Sequence, residues 1–557
     1  MSQQANGPVA GPEGQEPLSI GTHDAEPAFE TGTIDIVDAH RLRKRPGSVF
    51  WISLSVILAF VVWAAIAPDK LNELMTGAID WAANSIGWSY LVVTLGCLLI
   101  LLYLALSRFG GIRLGEDHDR PEFKTWSWIA MILSAVMGIG LISYGVAEPI
   151  SHFVTPPHGL AESGSREAAV VAMQFSYFDW GPNAWAVFGV FGLAIAYSTH
   201  RRHNPGLVSP MLRPLFGKAV DGWLGKSIDI FAIIATLLGT TTSLGLGASQ
   251  IAEGMNRVFG IPTGVFTQIV IIGGITVVFT LSALSGVNKG IKWLSQGTMA
   301  ISSLLALFVL FAGPTDYISN LFFRSLGQFV GDYFQIALLT PATPTDVQWM
   351  QYWTYFMMAW WLSWGAFVGV FLAKISKGRT IREFVAGVVG VPSLVFFVWF
   401  TIFGGSAIHF DMEEGIGIGA AATQDVNSAF FETLAQLPLS TLTSVIAIIL
   451  VVLYFVSGAD ANTFVLSMLS SRGTLNPSAP VLTVWGVLTG VVAVALMIVG
   501  GLTALQQAAM LSALPFTIIV ALLAISLVME LQQDRRFAGT YPASKLDIAR
   551  LEGEIRS

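Results

Sequence analysis

The sequence predicts an all-α integral membrane protein with twelve transmembrane helices. Three observations carry the prediction. Of 557 residues, 54% are hydrophobic and only 12% charged, with a mean hydropathy of +0.66 that a water-soluble globule would not sustain. The apolar residues gather into twelve runs of bilayer-crossing length, at about 49–67, 88–107, 125–147, 169–198, 228–256, 263–283, 295–313, 350–373, 384–406, 440–466, 480–501 and 507–530. The basic residues then alternate between successive connections, as they do when cytoplasmic loops collect Lys and Arg.

Residues 1–48 are rich in Gly, Pro, Gln and Glu and lack the apolar core of a cleavable signal peptide, so a disordered cytoplasmic tail is expected there. His40, Arg41, Arg43, Lys44 and Arg45 sit just before the first run and place that end inside. An even number of spans returns the C-terminus to the same side. The inside connections carry Arg108, Arg113 and Lys124; Arg201, Arg202, Arg213, Lys218 and Lys226; Lys289 and Lys292; Lys374, Lys377, Arg379 and Arg382; and Arg472. The outside ones carry only Lys70, Arg166, Arg257 and Arg324, and 407–438 holds five acids with no Lys or Arg. Segment 314–345 suits an interfacial helix on the outer face or a plain loop, and 284–293 suits a short basic helix on the inner face. The tail at 531–557 balances its charges and is expected to be a solvated end. Fifty-six glycines fit close helix packing in a bilayer. The lone Cys97 excludes an intramolecular disulfide or a multi-cysteine metal site, and no basic stripe suggests nucleic acid as a partner.

Chemistry is expected where spans carry aromatic faces, glycine breaks or polar groups. In Trp353–Phe371, Trp360, Trp361, Trp364, Phe367 and Phe371 fall within about a third of a helix circumference. Bulky packing is one account. A desolvated cage for a cation is the other, since indole faces attract cations by about 2 kcal/mol each without water. In the third span Gly138, Gly140, Gly145 and Pro149 allow either an unwound stretch lining a cavity or small-residue packing. The fourth span sets Trp180, Trp185 and Phe188 around Gly181-Pro182, a second aromatic wall if the break rotates the helix. Asp179 is there either as a functional intramembrane acid or as an interfacial residue. Thr236 and Thr240 stack hydroxyls on one face of the fifth span, for a hard cation or for bonds back to their own helix. Ser457, Gly458 and Asp460 leave the same choice in the tenth.

With these residues the chain resembles the betaine-carnitine-choline transporter family, most of all its sodium-coupled glycine betaine carriers. The resemblance runs over about 49–530, through MGIGL at 137–141, GVAEP at 145–149, FGLAIAYS at 191–198, GWLGKSIDIFAIIAT at 222–236, LSGVNKGIKWLS at 284–295, AWWLSWGAFVGVFLAKISKGRTIREF at 359–384 and IFGGSAI at 402–408. It implies a leucine-transporter-like inverted repeat of five plus five helices after two preceding ones, with repeats at 125–313 and 350–530, in a homotrimer within the plasma membrane. It implies transport, not catalysis, with sodium as coupling ion and no further cofactor. By position, substrate would meet Trp180, Trp185, Phe188 and Trp361, with Trp364 on the inward path and Met137, Gly138 and Gly140 supplying backbone. One sodium site would use Thr236, Thr240 and Phe367. The other would use Ser134, Met137, Tyr454, Ser457 and Gly458, although Gly458 has no hydroxyl to offer. Departures surround the site: Val136 where a glycine is usual, Phe188 for Tyr, Asp179 for His, and Gly365-Ala366 for Ser-Pro. Gly140, where proton-coupled choline carriers tend to have Asp, favours sodium; proton coupling through Asp179 and choline, carnitine or dimethylsulfoniopropionate as substrate are the alternatives.

Overall fold

A computed structural model describes residues 46–136, 138–285, 288–474 and 476–534. The expected N-terminal tail therefore lies outside the described residues except for its last three, as does Met137. Within the described residues the chain is helical, with one isolated β-bridge between Arg113 and Thr380. In order, the main helices are α1 (Ser48–Ile66), α2 (Pro68–Ser85), α3 (Trp88–Leu106), α4 (Thr125–Val136), α5 (Ile139–Val154), α6 (Arg166–Trp180), α7 (Pro182–Ala196), α8 (Trp223–Phe259), α9 (Val265–Ser285), α10 (Asn288–Ala312), α11 (Thr315–Ala337), α12 (Pro344–Tyr352), α13 (Thr354–Ile375), α14 (Ile381–Glu414), α15 (Ile418–Gln424), α16 (Ser428–Ala435), α17 (Ser440–Ser470) and α18 (Ala479–Gln532).

Among these, eight helical stretches are long and apolar enough to cross a membrane, or nine if the pair Gln296–Ala312 and Thr315–Ala337, bent by 108°, is one span. The difference from the twelve expected runs arises at glycines. The third run is split at Gly138 and the fourth at Gly181, leaving halves too short to qualify alone. The last two runs are joined in α18 across Gly500 (φ -163°, ψ 24°) and Gly501 (φ 63°, ψ -143°), a left-handed step that a β-carbon would strain.

Other elements differ from expectation in ways with simple causes. Segment 284–293 forms no separate basic helix, because the residues from Asn288 already belong to α10. Segment 314–345 contains the helix α11, with Ile318, Leu321, Ser325 and Phe329 buried along one face at helical spacing. An additional helix, α2, follows Pro68, which caps a first turn without losing a needed N–H.

Burial sorts the helices. Only 22% of the apolar window of α1 is buried, so most of its surface faces outward, toward lipid. In Pro344–Ile375 the figure is 89%, which makes the aromatic-rich α13 the interior element. Its main neighbour is α7. Their close crossing depends on Gly365 and Gly369: a β-carbon at either would come within 2.4 Å of Phe191. The Ser-Pro replaced by Gly365-Ala366 is thus space taken by a phenyl ring.

At the end opposite α12, α7 continues into a π turn, Tyr197–Arg201. Arg201 donates through Nε and Nη2 to the Asp534 carboxylate (2.5 and 2.9 Å) and through Nη1 to Asp117 (2.9 Å), while Tyr197 donates to Asp534 at 2.8 Å. Asp534 is buried, so the segment after α18 begins clasped to the protein and not in solvent.

Candidate functional site

The breaks at Gly138 and Gly181 and the face of α13 meet at one place. Gly181 (φ -97°, ψ -133°) ends α6 just after Trp180 and interrupts the helix before α7, and the rings on its two sides, Trp180 and Trp185, both pack on Phe396. Trp361 packs on Trp180 with ring centroids 4.9 Å apart, and on Phe188 at 5.9 Å; Trp185 meets Phe188 at 5.8 Å. All four rings are buried. The aromatic residues expected to form a box are therefore brought together.

Their polar edges are tied off away from one another. Trp361 Nε1 donates to the Asp179 carbonyl (2.7 Å), and Trp180 Nε1 donates to Glu148 Oε2 (2.6 Å). That leaves ring faces for the interior, the geometry that attracts a cation. Trp360, which had no expected partner, donates to the Gly239 carbonyl (3.1 Å) and stacks between Phe356 and Trp361 at 5.5 and 5.2 Å. It is a packing residue that locks α13 to α8. Trp364 is half-buried and lies beside Phe367 at 5.6 Å.

Two walls were not legible in the sequence. Phe396 and Phe400 of α14 pack on Trp180 at 5.9 and 5.2 Å, and Phe396 also meets Trp185 at 5.7 Å. Tyr144 covers the other side, 5.7 Å from Trp180 and 6.2 Å from Trp360, and accepts a hydrogen bond from Gln506 Nε2 at 3.0 Å. In a loaded cage every ring centroid lies within about 6 Å of the cation. Trp180 and Trp361 meet edge to face at 73°, so these two walls touch each other directly. A separate cavity of about 210 Å³ lies beyond Tyr144 and Phe356, lined by Asp80, Gln351, Phe356, Gln506, Gln507 and Met510 among others.

The third-span glycines have distinct positions. Gly138 is extended (φ -130°, ψ -155°) and caps α5 with no side-chain bond to its first N–H groups. Gly140 is already helical, so the expected unwound stretch is shorter than MGIG. It is instead a contact point: a β-carbon there would lie 2.6 Å from Trp180 Cη2 and 3.2 Å from Trp360 Cη2. The first turn of α5 thus abuts the box.

Thr236 and Thr240 are both buried in α8. Thr240 bonds back to the Thr236 carbonyl at 2.9 Å, whereas Thr236 Oγ1 has no hydrogen-bond partner among the described residues. Asn462 of α17 donates to Thr240 Oγ1, and its own Oδ1 is likewise unpartnered. The sequence gave no reason to single out Asn462, which reaches this point only through helix crossing. The second expected ion site draws on backbone at Ser134, which is helical in α4, and on Met137, which lies outside the described residues. Its other half lies in an unbroken α17, where the Tyr454 hydroxyl is 2.8 Å from that of Ser302, Ser457 is half-buried, and a β-carbon at Gly458 would meet open space.

Asp179 is fully buried. Its Oδ2 accepts from Thr354 at 3.3 Å.

The betaine/carnitine/choline family transporter model matches residues 48–536. Similar proteins include a glycine betaine transporter, OpuD, of Bacillus subtilis, 43% identical over 88% of this chain and 96% of its own length. An ectoine/hydroxyectoine transporter of Virgibacillus pantothenticus is 38% identical over 88% and 97%. An osmo-dependent choline transporter, BetT2, of Acinetobacter baylyi is 33% identical over 94% and 76%. This chain belongs to the betaine/carnitine/choline family, and is a multi-pass membrane transporter and not an enzyme.

Proposed function

We propose that the protein imports a quaternary ammonium osmolyte, glycine betaine first, together with sodium. The observation that carries the reading is the contact between the first turn of α5 and the indole of Trp180 at Gly140. A helix N-terminus presents unpaired N–H groups and positive dipole to an anion, while buried indole faces favour a cation. A zwitterion with a carboxylate one short linker from a trimethylammonium matches both. The ammonium has no N–H to donate, so aromatic faces and shape are what recognise it. The names of the similar proteins support this class of substrate.

Sodium as the coupling ion rests on Thr236 Oγ1 and Asn462 Oδ1, two buried side-chain oxygens without hydrogen-bond partners among the described residues, on residues that both bond to Thr240 Oγ1. Hydroxyl and amide oxygens suit a hard cation. Each net charge crossing gains about 2.3 kcal/mol per 100 mV, and two sodium ions with a zwitterion about twice that. The site belongs, in this reading, to a twelve-helix inverted repeat in the plasma membrane, with both termini cytoplasmic and protomers in a homotrimer. The 210 Å³ cavity serves as the outer vestibule, with Tyr144 and Phe356 closing the passage to the box.

Two measurements test this. In proteoliposomes, radiolabelled glycine betaine is expected to accumulate ahead of choline, carnitine, ectoine and dimethylsulfoniopropionate, and only with sodium; accumulation that persists when potassium replaces sodium removes the coupling assignment. Thr236→Ala and Asn462→Ala are each expected to raise the sodium concentration for half-maximal uptake about tenfold, a loss of about 1.4 kcal/mol. An unchanged sodium dependence in both variants would detach these oxygens from the ion.

A further inference from the structure

Beside the box lies a second group of side chains that this reading does not use. Glu148 and His152 stand one turn apart on α5, and Asp179 ends α6; each is fully buried. One ligand atom from each lies within 4.8 Å of the others, and His152 Nε2 is 3.7 Å from Glu148 Oε1. Among the described residues, Glu148 Oε1, Asp179 Oδ1 and both ring nitrogens of His152 have no hydrogen-bond partner. The remaining oxygens are held: Glu148 Oε2 by Trp180 Nε1 at 2.6 Å, and Asp179 Oδ2 by the Thr354 hydroxyl at 3.3 Å. Trp349 and Trp353 close over the imidazole, both with centroids at 4.8 Å.

This is the anatomy of a coordination site. An outer donor orients each carboxylate by one oxygen and leaves the other free to bind, as the surroundings of metal ligands commonly do. The ion pairs of the described residues give neither carboxylate a Lys or Arg partner. Were both acids ionised, they and a neutral imidazole would sum to two negative charges, and burying them uncompensated is prohibitive. One dication cancels both, whereas a single sodium leaves one. An imidazole among the donors also selects for zinc-like ions over hard ones, which take oxygen alone.

We propose that Glu148, His152 and Asp179 bind one divalent first-row transition-metal ion at the edge of the aromatic box, joining α5 to the end of α6 just before the Gly181 break. Trp180 would then be positioned through Glu148, so that the ion stiffens one wall of the substrate cage.

The test uses the full-length protein, purified in detergent, stripped with chelator and titrated with cobalt. One equivalent is expected to give the visible absorption of a low-symmetry site, displaced by zinc. His152→Ala and Asp179→Asn are expected to weaken it at least about tenfold, in line with losses seen when metal sites are perturbed. His152→Cys restores a ligand, so it should bind cobalt with a thiolate charge-transfer band. Saturable binding that is equal in the wild type and His152→Ala overturns the proposal, as does a wild type that binds no cobalt. A His152→Cys protein that elutes and melts like the wild type but gives no charge-transfer band also overturns it. So do infrared bands of protonated carboxyls that excess cobalt does not remove, since protons would then be what balances the charge.

Discussion

Trp361→Ala is expected to weaken glycine betaine binding by about 30-fold or more. A desolvated indole face contributes about 2 kcal/mol to a bound cation, and every 1.4 kcal/mol is a factor of ten. Trp361 is the ring to remove because it contacts two of the three fourth-span aromatics, Trp180 at 4.9 Å and Phe188 at 5.9 Å. Its N–H anchor on the Asp179 carbonyl also fixes α13 against α6. Truncating so large a buried ring costs stability too, by about 3–5 kcal/mol. Trp361→Phe is therefore the companion variant: it keeps a π face and most of the volume, and should retain much more affinity than alanine. Equilibrium binding to purified protein that elutes as one species measures both. Equal affinity in wild type and the alanine variant would end the cage assignment.

Gly140→Ala is expected to cost about tenfold in affinity or more, although it adds one methyl and touches no polar group. The new carbon would sit 2.6 Å from Trp180 Cη2 and 3.2 Å from Trp360 Cη2. Both rings are buried and both are tethered through their indole N–H, to Glu148 and Gly239. Neither yields as a flexible chain end would, and overpacking of this kind typically costs about 1–3 kcal/mol. The strain falls on the wall that receives the cation and on the helix start that receives the carboxylate. A control on another helix, Gly273→Ala in α9, has open space for its methyl and should leave substrate affinity unchanged. If Gly140→Ala binds like the wild type, α5 does not approach Trp180 in the loaded state.

The elements of this arrangement were differently legible in the sequence. Composition and basic-residue alternation led to a membrane protein, and helical spacing alone placed Trp360, Trp361, Trp364 and Phe367 on one arc. The Gly-Pro step at 181–182 was visible as the break between Trp180 and Trp185, because it is local. Contacts between distant segments were not visible. Phe396 and Phe400 look like any apolar pair in a span until α14 lies against Trp180. Asn462 lies beyond the small-residue stretch that drew attention to α17, and gains meaning only where that helix crosses Thr240. Glu148 and His152 were part of a helical turn next to a proline, and Asp179 an oddity on another helix. Their convergence depends on where two breaks point two helix ends, which no spacing encodes. The same tertiary dependence explains Trp360, which shares the arc of its neighbours yet spends its N–H on Gly239.

The Arg201 clasp ties the end of the last described segment to the helix that carries Trp185 and Phe188. Asp534 lies two residues past the final helix, and the guanidinium that grips it ends the π turn running without interruption from α7. Trp185 and Phe188 ride on α7, about four turns up from that grip. One continuous helical run therefore joins the Asp534 anchor to one side of the aromatic cluster, a lever arm with the ion pair at one end and the rings of Trp185 and Phe188 at the other.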